Sequence, residues 1–256
     1  MNIVLKEEIE HDDNIKSVLT NFDTKESKIV IVDADYLPFK AGHPGKDEFG
    51  DKNPDLSEEE AVERLNEIIM KLYLSIEKYF IIDSFYLITK GRNNFRKQID
   101  PDYKKNRKGD IPEIVLFLDN YLRDNLNAIP APSGEADDLV YTLSKKLNHE
   151  GIVVSPDKDL LQIPSIIYNP NKDKWVKIDQ TTADYNLALQ CVMGDAVDGV
   201  NPFPKVGIKT AENIVKLGMT RYQLMKAMLL SPILLKYDNY KERIRNAYKL
   251  VKLYEV

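Results

Sequence analysis

The 256-residue sequence contains a single cysteine, Cys191, and three widely separated histidines, His11, His43 and His149. One cysteine cannot form an internal disulfide or a cysteine-based zinc site. Histidines without ligand-like spacing argue against a histidine-rich zinc or iron site. The sequence therefore excludes these architectures and suits a reducing compartment.

Long hydrophobic runs are also missing. The most apolar stretch, Tyr79 to Ile88, is interrupted by Asp83, and the N-terminal residues become acidic almost at once. Neither region is apolar enough for a membrane span or a signal peptide. We therefore expect no membrane association and a location inside the cell.

An excess of positive charge is the third feature that the sequence lacks. The chain has 36 basic and 41 acidic residues, which gives a net charge of −5. A protein that simply coats nucleic acid is normally basic. The balance does not exclude a nuclease, because cations bound by local carboxylates cancel the charge of those carboxylates.

The order of apolar runs and amphipathic segments predicts an α/β fold. Ile29–Val32 and Phe80–Thr89 are typical of buried strands, and Ser57 and Glu60 form a capping box that opens a helix to about Tyr79. Alternation of strands and helices indicates a mainly parallel sheet flanked by helices. Further predicted helices begin at Pro112, Ser133, Thr182 and Lys209, and further predicted strands are Leu126–Ile129, Gly151–Ser155, Ile166–Asn169 and Trp175–Ile178.

Acidic residues occur where an α/β fold gathers its ligands. Asp33 and Asp157 follow apolar strands, whose carboxyl ends meet at one crevice in a parallel sheet. Glu135 and Asp138 are three residues apart near a helix start and share a face, whereas Asp137 lies off that face and could simply be solvated. Other closely spaced acids are Asp159, Asp195 and Asp198.

Carboxylate oxygens without histidine suit Mg²⁺ or Mn²⁺ rather than Zn²⁺. So many carboxylates indicate two ions, which together can activate a water and stabilise both oxygens of a phosphodiester. A single acidic pair is more often a turn former or a helix cap. The prediction therefore depends on these clusters converging at the strand ends.

A basic stretch with interspersed aromatics follows the second predicted strand. Lys104 and Arg107 are three residues apart and would point the same way on a helix, where they could bind a scissile phosphate. Tyr103 could stack on a base. The alternative is a solvated charged face. The basic residues of this stretch are Arg92, Arg96, Lys97, Lys104, Lys105, Arg107 and Lys108.

A glycine-punctuated segment separates two predicted helices near the C-terminus, Thr182–Val192 and Lys209–Leu217. Main-chain N–H groups at the start of the second helix could hold a backbone phosphate. Lys205 and Lys209 add positive charge there. Helical hairpins are also common structural parts, so this segment alone does not identify a function.

Five motifs in order resemble those of the 5′ nuclease superfamily, which includes flap endonucleases, phage 5′→3′ exonucleases and phage RNase H. The resemblance covers about Ile29 to Leu217, and the phage branch fits best because the chain is short. The motifs are Val30–Asp35, Phe95–Lys97 with Pro101–Arg107, Gly134–Asp138, Ser155–Leu160, and Met193–Gly199 with Val206–Ala211.

The resemblance implies a PIN-like 5′ nuclease fold with a helical arch and a helix-hairpin DNA-binding element. Residues 1–28 would be an N-terminal extension. Residues 29–180 would form the nuclease core, with the arch at about 90–127. Residues 181–256 would be a helical part with the hairpin at about 182–217.

The resemblance also implies residue roles. Lys104 and Arg107 would stabilise charge on the transferring phosphate, and Tyr103 would contact a terminal base. Asp33, Glu135 and Asp157 would be catalytic as well. Two Mg²⁺ ions, replaceable by Mn²⁺, would be held directly or through water by Asp33, Glu135, Asp137, Asp138, Asp157, Asp159, Asp195 and Asp198. Nucleic acid would contact Arg92, Arg96, Lys97, Tyr103, Lys105, Lys108, Gly199, Lys205, Gly207 and Lys209, and the hairpin could bind K⁺.

Two positions depart from the family pattern. Members usually have another Asp at the end of the second strand, where this chain has Thr89 and no carboxylate nearby. Lys205 replaces the first glycine of the usual Gly-x-Gly in the hairpin. We expect the first departure to weaken metal binding and the second to alter the grip on duplex DNA.

The sequence thus predicts a monomeric, Mg²⁺-dependent 5′→3′ exonuclease or flap endonuclease that acts on 5′ ends, flaps and duplex DNA. RNA–DNA hybrids are further candidate substrates, as in primer removal. Its setting would be phage DNA replication or repair in the host cytoplasm. The alternatives are a catalytically weakened homologue that holds branched DNA, and a compact PIN-type ribonuclease, which would lack the hairpin.

Overall fold

A computed structural model describes residues 15, 25–43, 56–107 and 109–256. Almost all of the predicted N-terminal extension, and Lys108 with it, therefore lie outside the described residues. None of the described helices combines the length and the apolar character that crossing a bilayer requires.

The described chain contains a six-stranded sheet with the order β3-β2-β1-β4-β5-β6. All neighbouring strands are parallel except β5 and β6, which pair antiparallel. The predicted α/β architecture with a mainly parallel sheet is confirmed. The strands are Ser27–Asp33 (β1), Ile81–Thr89 (β2), Ile129–Pro130 (β3), Ile152–Val154 (β4), Ile166–Asn169 (β5) and Lys174–Lys177 (β6).

Helices flank the sheet and make up the C-terminal part. The predicted capping box at Ser57 is confirmed, because Ser57 Oγ accepts from the Glu60 N–H and Glu60 Oε2 accepts from the Ser57 N–H. The α-helices are Leu37–Gly42 (α1), Glu58–Glu77 (α2), Arg96–Ile99 (α3), Glu113–Asp124 (α4), Ala136–Lys146 (α5), Gln180–Met193 (α6), Ile208–Ile214 (α7), Arg221–Leu230 (α8) and Tyr240–Val251 (α9). Short 3₁₀ helices span Lys158–Gln162 and Leu234–Lys236.

Some predicted boundaries are wrong. The helix expected from Ser133 begins at Ala136, because Gly134 adopts a positive φ of 82° and Glu135 becomes the N-cap. The helix expected over Lys209–Leu217 is the shorter α7. The strand expected over Leu126–Ile129 is the two-residue β3, displaced toward the C-terminus.

Strand periodicity sends alternate side chains to opposite faces of the sheet. Val32 and Leu87 lie in a core cluster with Leu118 of α4. Ile88 faces the other way, in a cluster with Val140 of α5. Helices α4 and α5 therefore cover opposite faces of the sheet, and both reach its carboxyl edge.

A third core cluster joins the C-terminal helices α6 to α9. Tyr103, from the basic stretch, is one of its buried members. The basic stretch is thereby attached to the helical part as well as to the sheet, and both contribute residues to the site below.

Candidate metal centre and nucleic-acid cleft

The carboxyl edge of the sheet opens into a cleft of about 1090 Å³. Asp33 ends β1 and is only 5% exposed, and Ser155 Oγ, which directly follows β4, donates to Asp33 Oδ2 at 2.8 Å. Glu135, Asp137 and Asp157 also line the cleft. The adjacent parallel strands β1 and β4 thus bring distant parts of the chain to one place, as open α/β sheets do.

Three of these acids form a compact group, the acidic triad Asp137, Asp157 and Asp159. One carboxylate oxygen from each residue lies within 4.8 Å of the others. Asp137 comes from the first turn of α5, and the other two come from the turn after β4, where Asp157 Oδ1 accepts from the Asp159 N–H at 2.9 Å. Asp137 is thus part of the group and not a solvated bystander, contrary to the alternative that its helical position suggested.

Burial, and after it the charges of neighbouring acids, raises the pKa values of Asp33, Asp137 and Asp159. Burial, reinforced by Asp35 and Asp157, raises the pKa of Asp33 to about 7. Burial and the charge of Asp157 raise the pKa of Asp159 to about 7. The pKa of Asp137 is raised well above its usual value by burial and then by Asp33 and Asp157. Bound cations would remove this repulsion.

The donor set is compatible with a hard divalent cation. All three triad ligands are carboxylates, which Mg²⁺ and Mn²⁺ prefer, and no histidine or cysteine belongs to the cation-binding groups formed by the described residues. The acids that could hold an ion directly are Asp137, Asp157 and Asp159, with Asp33 beside them.

Beside the triad, two further acids are held by basic and phenolic groups. The Tyr103 hydroxyl oxygen lies 2.8 Å from a carboxylate oxygen of Glu135 and 2.8 Å from one of Asp198, and its single proton is donated to one of them at a time. Lys104 bonds to Glu135 and lies 3.5 Å from Asp198 Oδ2, while Arg107 donates to Asp198 Oδ1 at 2.5 Å. We use the name cation-capped pair for the two acids, Glu135 and Asp198, together with the three residues that bond to them.

Two predictions about the basic stretch are corrected by this geometry. Residues 101–106 form turns rather than a helix, and Lys104 has a positive φ of 59°. Lys104 and Arg107 nevertheless converge, because both reach Asp198. Tyr103 is 4% exposed, so its ring is packed in the helical core and is not available to stack on a terminal base.

Arg96 and Asp138 are also placed differently from the prediction. Arg96 is 2% exposed and donates two hydrogen bonds to Asp138, at 2.5 and 2.9 Å. It also donates to the carbonyls of Leu250 and Lys252. Asp138 is fully buried and accepts from the N–H groups of Glu135 and Tyr254. Arg96 is therefore not a nucleic-acid contact, and Asp138 is a structural partner of Arg96 rather than a metal ligand.

Asp195 pairs with Lys158, a cation whose role was overlooked in the sequence. Lys158 Nζ lies 2.9 Å from Asp195 Oδ2, and the Val197 N–H donates to Asp195 Oδ1 at 2.8 Å. Burial would raise the pKa of Asp195, but the Lys158 ammonium and the main-chain donors outweigh it and lower that pKa. Gln190 was also overlooked, and its amide bonds to Asp159.

The other predicted nucleic-acid contacts are dispersed. Arg92 and Lys97 are exposed and line the cleft. Lys105 is exposed and pairs with its neighbour Asp102 at 2.8 Å. Lys108 lies outside the described residues. Gly199 has a φ of 78° and packs close to Asn106, so it positions the basic stretch.

The hairpin surface consists of the loop between α6 and α7 and the start of α7. Lys205, Gly207 and Lys209 are all exposed there, and Gly207 is the N-cap of α7. Lys205 adopts a φ of 71°, the left-handed conformation that glycine tolerates best. Lys205 therefore preserves a glycine-like turn, and this departure from the family motif does not change the backbone class at that position.

The neutral end of β2 matches the expectation from the sequence. Thr89 is the last residue of β2 and is fully buried, and its Oγ1 has no hydrogen-bond partner in the described structure. A carboxylate from the neighbouring strand's loop reaches this end: Asp35 Oδ1 accepts from the N–H of Lys90, the residue after Thr89, at 2.7 Å. Asp35 ends the Val30–Asp35 motif and was not among the predicted site residues, although its Asp-x-Asp spacing to Asp33 was a usable signal.

Comparisons with known proteins agree with this architecture. A family model described as "5′-3′ exonuclease, N-terminal resolvase-like domain" matches residues 28–186. A 5′-3′ exonuclease from Buchnera aphidicola is 27% identical over 212 residues, which cover 72% of this chain and 72% of that protein. A 5′-3′ exonuclease from Aquifex aeolicus is 33% identical over 189 residues, which cover 62% of this chain and 60% of that protein. A flap endonuclease Xni from Shewanella woodyi is 30% identical over 182 residues, which cover 62% and 70%.

Solved structures give the same fold. T5 5′-exonuclease with bound divalent metal ions (zinc) superposes with a TM-score of 0.58 at 16% sequence identity, covering 88% of this chain and 86% of that chain. T5 D15 protein co-crystallised with metal ions gives a TM-score of 0.56 at 17% identity, with the same coverage. The predicted 5′ nuclease fold is thus confirmed. The sequence relatives named above are bacterial, so a phage origin of this chain stays a prediction. Because the family model spans residues 28–186 of the 256, the chain belongs to the 5′-3′ exonuclease family of nucleases.

Proposed function

We propose that this chain is a Mg²⁺-dependent 5′→3′ exonuclease that also cuts 5′ flaps, acting on DNA in replication or repair. The observation that carries the proposal is the acidic triad, whose members Asp137 and Asp157 line the same cleft as Asp33. Lys104 and Arg107 also line that cleft. A phosphodiester in that cleft would have carboxylates on one side and cations on the other. Relatives named as 5′-3′ exonucleases and flap endonucleases support the same direction of action.

The carboxylates are assigned to metal binding. Asp137, Asp157, Asp159 and Asp33 would hold the divalent cations, with Asp195 and Asp198 acting at their margin through water. When bound, such cations activate a water and stabilise the attacking and leaving oxygens of a phosphodiester. Ser155 fixes Asp33 by donating to one of its oxygens, so that carboxylate is oriented before any ligand arrives. Mn²⁺ would substitute for Mg²⁺, because both accept an all-oxygen set.

Lys104 and Arg107 are assigned to the phosphate. Both are tied to carboxylates and are therefore held at the wall of the cleft rather than extended into solvent. A phosphate that enters can accept from the same ammonium and guanidinium groups, which would offset the charge that grows on it during transfer. Of the two, Lys104 is the more enclosed, with 17% of its side chain exposed against 52% for Arg107.

Substrate grip is assigned to three exposed regions. Arg92 and Lys97 would guide a single strand along the cleft. Helix α4 packs against α1 and α2. Within the predicted arch, the role of bordering a threaded strand is therefore assigned to residues 100–107 and 109–112, several of which line the cleft. Lys205 and Lys209 would hold duplex backbone at the hairpin surface, with K⁺ as an additional ligand there. The chain would act as a monomer, and an RNA–DNA hybrid would be a second substrate.

The proposal is tested with 5′-labelled duplex, 5′-flap and RNA–DNA substrates in Mg²⁺ or Mn²⁺. We expect chelator-sensitive cleavage that leaves a 5′-phosphate and a 3′-hydroxyl. An internally labelled flap distinguishes stepwise removal of nucleotides from a single cut at the junction. If none of these substrates is cleaved with either ion, the proposal is wrong.

A second candidate function is a branched-DNA-binding protein with weakened catalysis. Two observations favour it: Thr89 contributes no charge at the end of β2, and cations close on Glu135 and Asp198. The double variant Asp157→Asn with Asp159→Asn separates the two functions. An enzyme loses cleavage and keeps DNA binding, whereas a binding protein has no cleavage to lose.

A further inference from the structure

We infer that Asp35 is a further carboxylate of the metal site, carried to the end of β2 by the loop that follows β1, where β2 itself contributes only the neutral Thr89. This inference rests on the proposed nuclease function. It gives a role to a residue outside the acidic triad and the cation-capped pair.

The end of β2 has a place for a polar group but no charge of its own. Leu87 and Thr89 lie on the α4 side of the sheet, because side chains alternate along the strand and Ile88 faces α5. Thr89 is fully buried, and its Oγ1 lacks a hydrogen-bond partner among the described residues. A buried hydroxyl without a partner is costly and is uncommon unless a ligand or water completes it.

Main-chain and side-chain hydrogen bonds hold the Asp35 carboxylate at this end. The Ala34 N–H donates to the Ile88 carbonyl at 2.8 Å, which continues the pairing of β1 with β2. Just beyond the end of β2, the Lys90 N–H donates to Asp35 Oδ1 at 2.7 Å. The carboxylate is therefore positioned one residue beyond Thr89, although it belongs to the neighbouring strand.

The orientation of Asp35 leaves it available to a cation. Its N–H donates to Asp33 Oδ1 at 3.3 Å, which ties it to the metal site. No donor within the described part of the chain bonds to Asp35 Oδ2. The Lys90 ammonium lies 3.9 Å from Asp119 Oδ2. Asp35 lines the same cleft as Asp33 and Asp137.

A purely structural role makes a different prediction. If Asp35 only caps the Lys90 N–H, asparagine would serve equally well, because its side-chain oxygen accepts the same hydrogen bond without a charge. Asp35→Asn therefore preserves the cap and removes only the carboxylate charge. The reciprocal change, Thr89→Asp, returns a carboxylate to β2 in a side chain of similar size.

The experiment measures Mn²⁺ affinity by calorimetry, with cleavage of a 5′-flap DNA as a second readout. It compares the unmodified chain with Asp35→Asn, Thr89→Asp, the double variant Asp35→Asn with Thr89→Asp, and Asp157→Asn as the reference for lost metal binding. We expect Asp35→Asn to weaken Mn²⁺ binding by about 10-fold. Its metal-free melting temperature should not fall, and the double variant should recover most of the affinity.

The outcomes separate this inference from the proposed function. If Asp157→Asn loses affinity while Asp35→Asn binds Mn²⁺ like the unmodified chain, Asp35 is only a cap and the inference is wrong. If Asp35→Asn weakens Mn²⁺ binding and the added Thr89→Asp change does not restore it, a carboxylate at the end of β2 cannot replace Asp35, and that part of the inference is wrong. If Thr89→Asp does not fold, Asp35→Glu is measured in its place, because it keeps the carboxylate charge. If Asp35→Glu binds Mn²⁺ no more tightly than Asp35→Asn, the charge of Asp35 has no role in metal binding and the inference is wrong. If the unmodified chain neither binds Mn²⁺ nor cleaves, the proposed function fails first.

Discussion

Two adjacent residues on the first turn of α5 have opposite surroundings. Asp137 faces Asp157 and Asp159, with no cation of the described chain bonded to it. Asp138, the next residue, is enclosed by two hydrogen bonds from Arg96. The same chemical group is thus uncompensated in one direction and fully paired in the other.

The contrast extends across the whole cleft. On the triad side, burial and then neighbouring acids raise the pKa values of Asp137 and Asp159. On the other side, Glu135 and Asp198 are already bonded to Tyr103, Lys104 or Arg107. A carboxylate without a protein cation beside it binds a divalent ion more readily than one whose charge a lysine or arginine already offsets. We therefore propose that the triad side binds metal and that the capped side contacts the phosphate.

The largest expected effect comes from removing the uncompensated acids. Asp157→Asn with Asp159→Asn should reduce cleavage more than about 100-fold, because loss of ligands costs more than loss of their supporting groups. DNA affinity should fall little, since the exposed cations assigned to substrate grip, such as Lys205 and Lys209, remain. Gel-shift and cleavage assays on one flap substrate measure both. Asp83→Asn, on an exposed part of β2 outside the cleft, is the matched control; an equal drop in that control would contradict the assignment.

Disturbing the paired acid Asp138 should change the stability of the protein rather than its metal-dependent cleavage. Arg96→Met leaves the buried Asp138 charge unpaired and should destabilise the metal-free protein by about 3–5 kcal/mol. Asp157→Asn should not destabilise it, because that change relieves repulsion within the triad. Denaturant unfolding without metal provides the comparison. Similar destabilisation in both variants would abolish the distinction between the two sides.

Lys104 should affect turnover more than binding. Lys104→Ala is expected to lower kcat about 100-fold, because a cation that meets the transferring phosphate is worth most in the transition state. Its neighbour Lys105 is the control, since its side chain is 74% exposed and pairs with Asp102. Single-turnover cleavage and DNA titration on both variants test this. A loss of affinity as large as the loss in kcat would assign Lys104 to binding alone.

A smaller effect is expected from pH. The pKa values of Asp33 and Asp159 are raised to about 7, so metal must displace protons below that pH. Mn²⁺ affinity should fall about 10-fold for each proton displaced per pH unit below 7, and should level off above 8. Calorimetry at pH 6, 7 and 8 measures this, and affinity that does not change with pH would contradict the raised pKa values.

The same acids predict the pH dependence of metal-free stability. An acid whose folded pKa lies above its unfolded value binds more protons when folded, so its contribution to stability is lost as pH rises toward about 7. Asp195, with a lowered pKa, acts in the opposite sense and loses its contribution in acid. Unfolding between pH 5 and 8 should therefore show declining stability without metal, and Asp159→Asn should flatten that decline.

Local patterns in the sequence predicted the sheet and much of the acidic side. Apolar β-branched runs and a capping box are local signals, and parallel strands bring Asp33 and Asp157 to one edge without further information. The helical spacing of Glu135 and Asp138 indicated the wrong face of α5 for the cleft. Glu135 is the N-cap rather than part of the helix, so its spacing to Asp138 does not define a helix face. The motif resemblance, not the spacing, gave Asp137 its role.

The pairing of cations could not be predicted from local patterns. Arg96 looked like its basic neighbours, and its burial depends on Leu250 and Lys252, more than 150 residues later in the chain. The bond between Lys158 and Asp195 likewise joins separate motifs. Such pairs form only when the C-terminal helices pack on the sheet, and the sequence provides no local signal for that contact.

The central claim is that the acidic triad holds the metal used in cleavage. The most direct test of it is the metal dependence of cleavage by the unmodified chain and by Asp157→Asn with Asp159→Asn. A 5′-flap DNA with an internal label is incubated with increasing Mg²⁺, with and without excess chelator. We expect cleavage to rise with Mg²⁺ in the unmodified chain, to stop with chelator, and to be absent in the double variant. Cleavage that continues unchanged with chelator, or in the double variant, would contradict metal-dependent catalysis at the acidic triad.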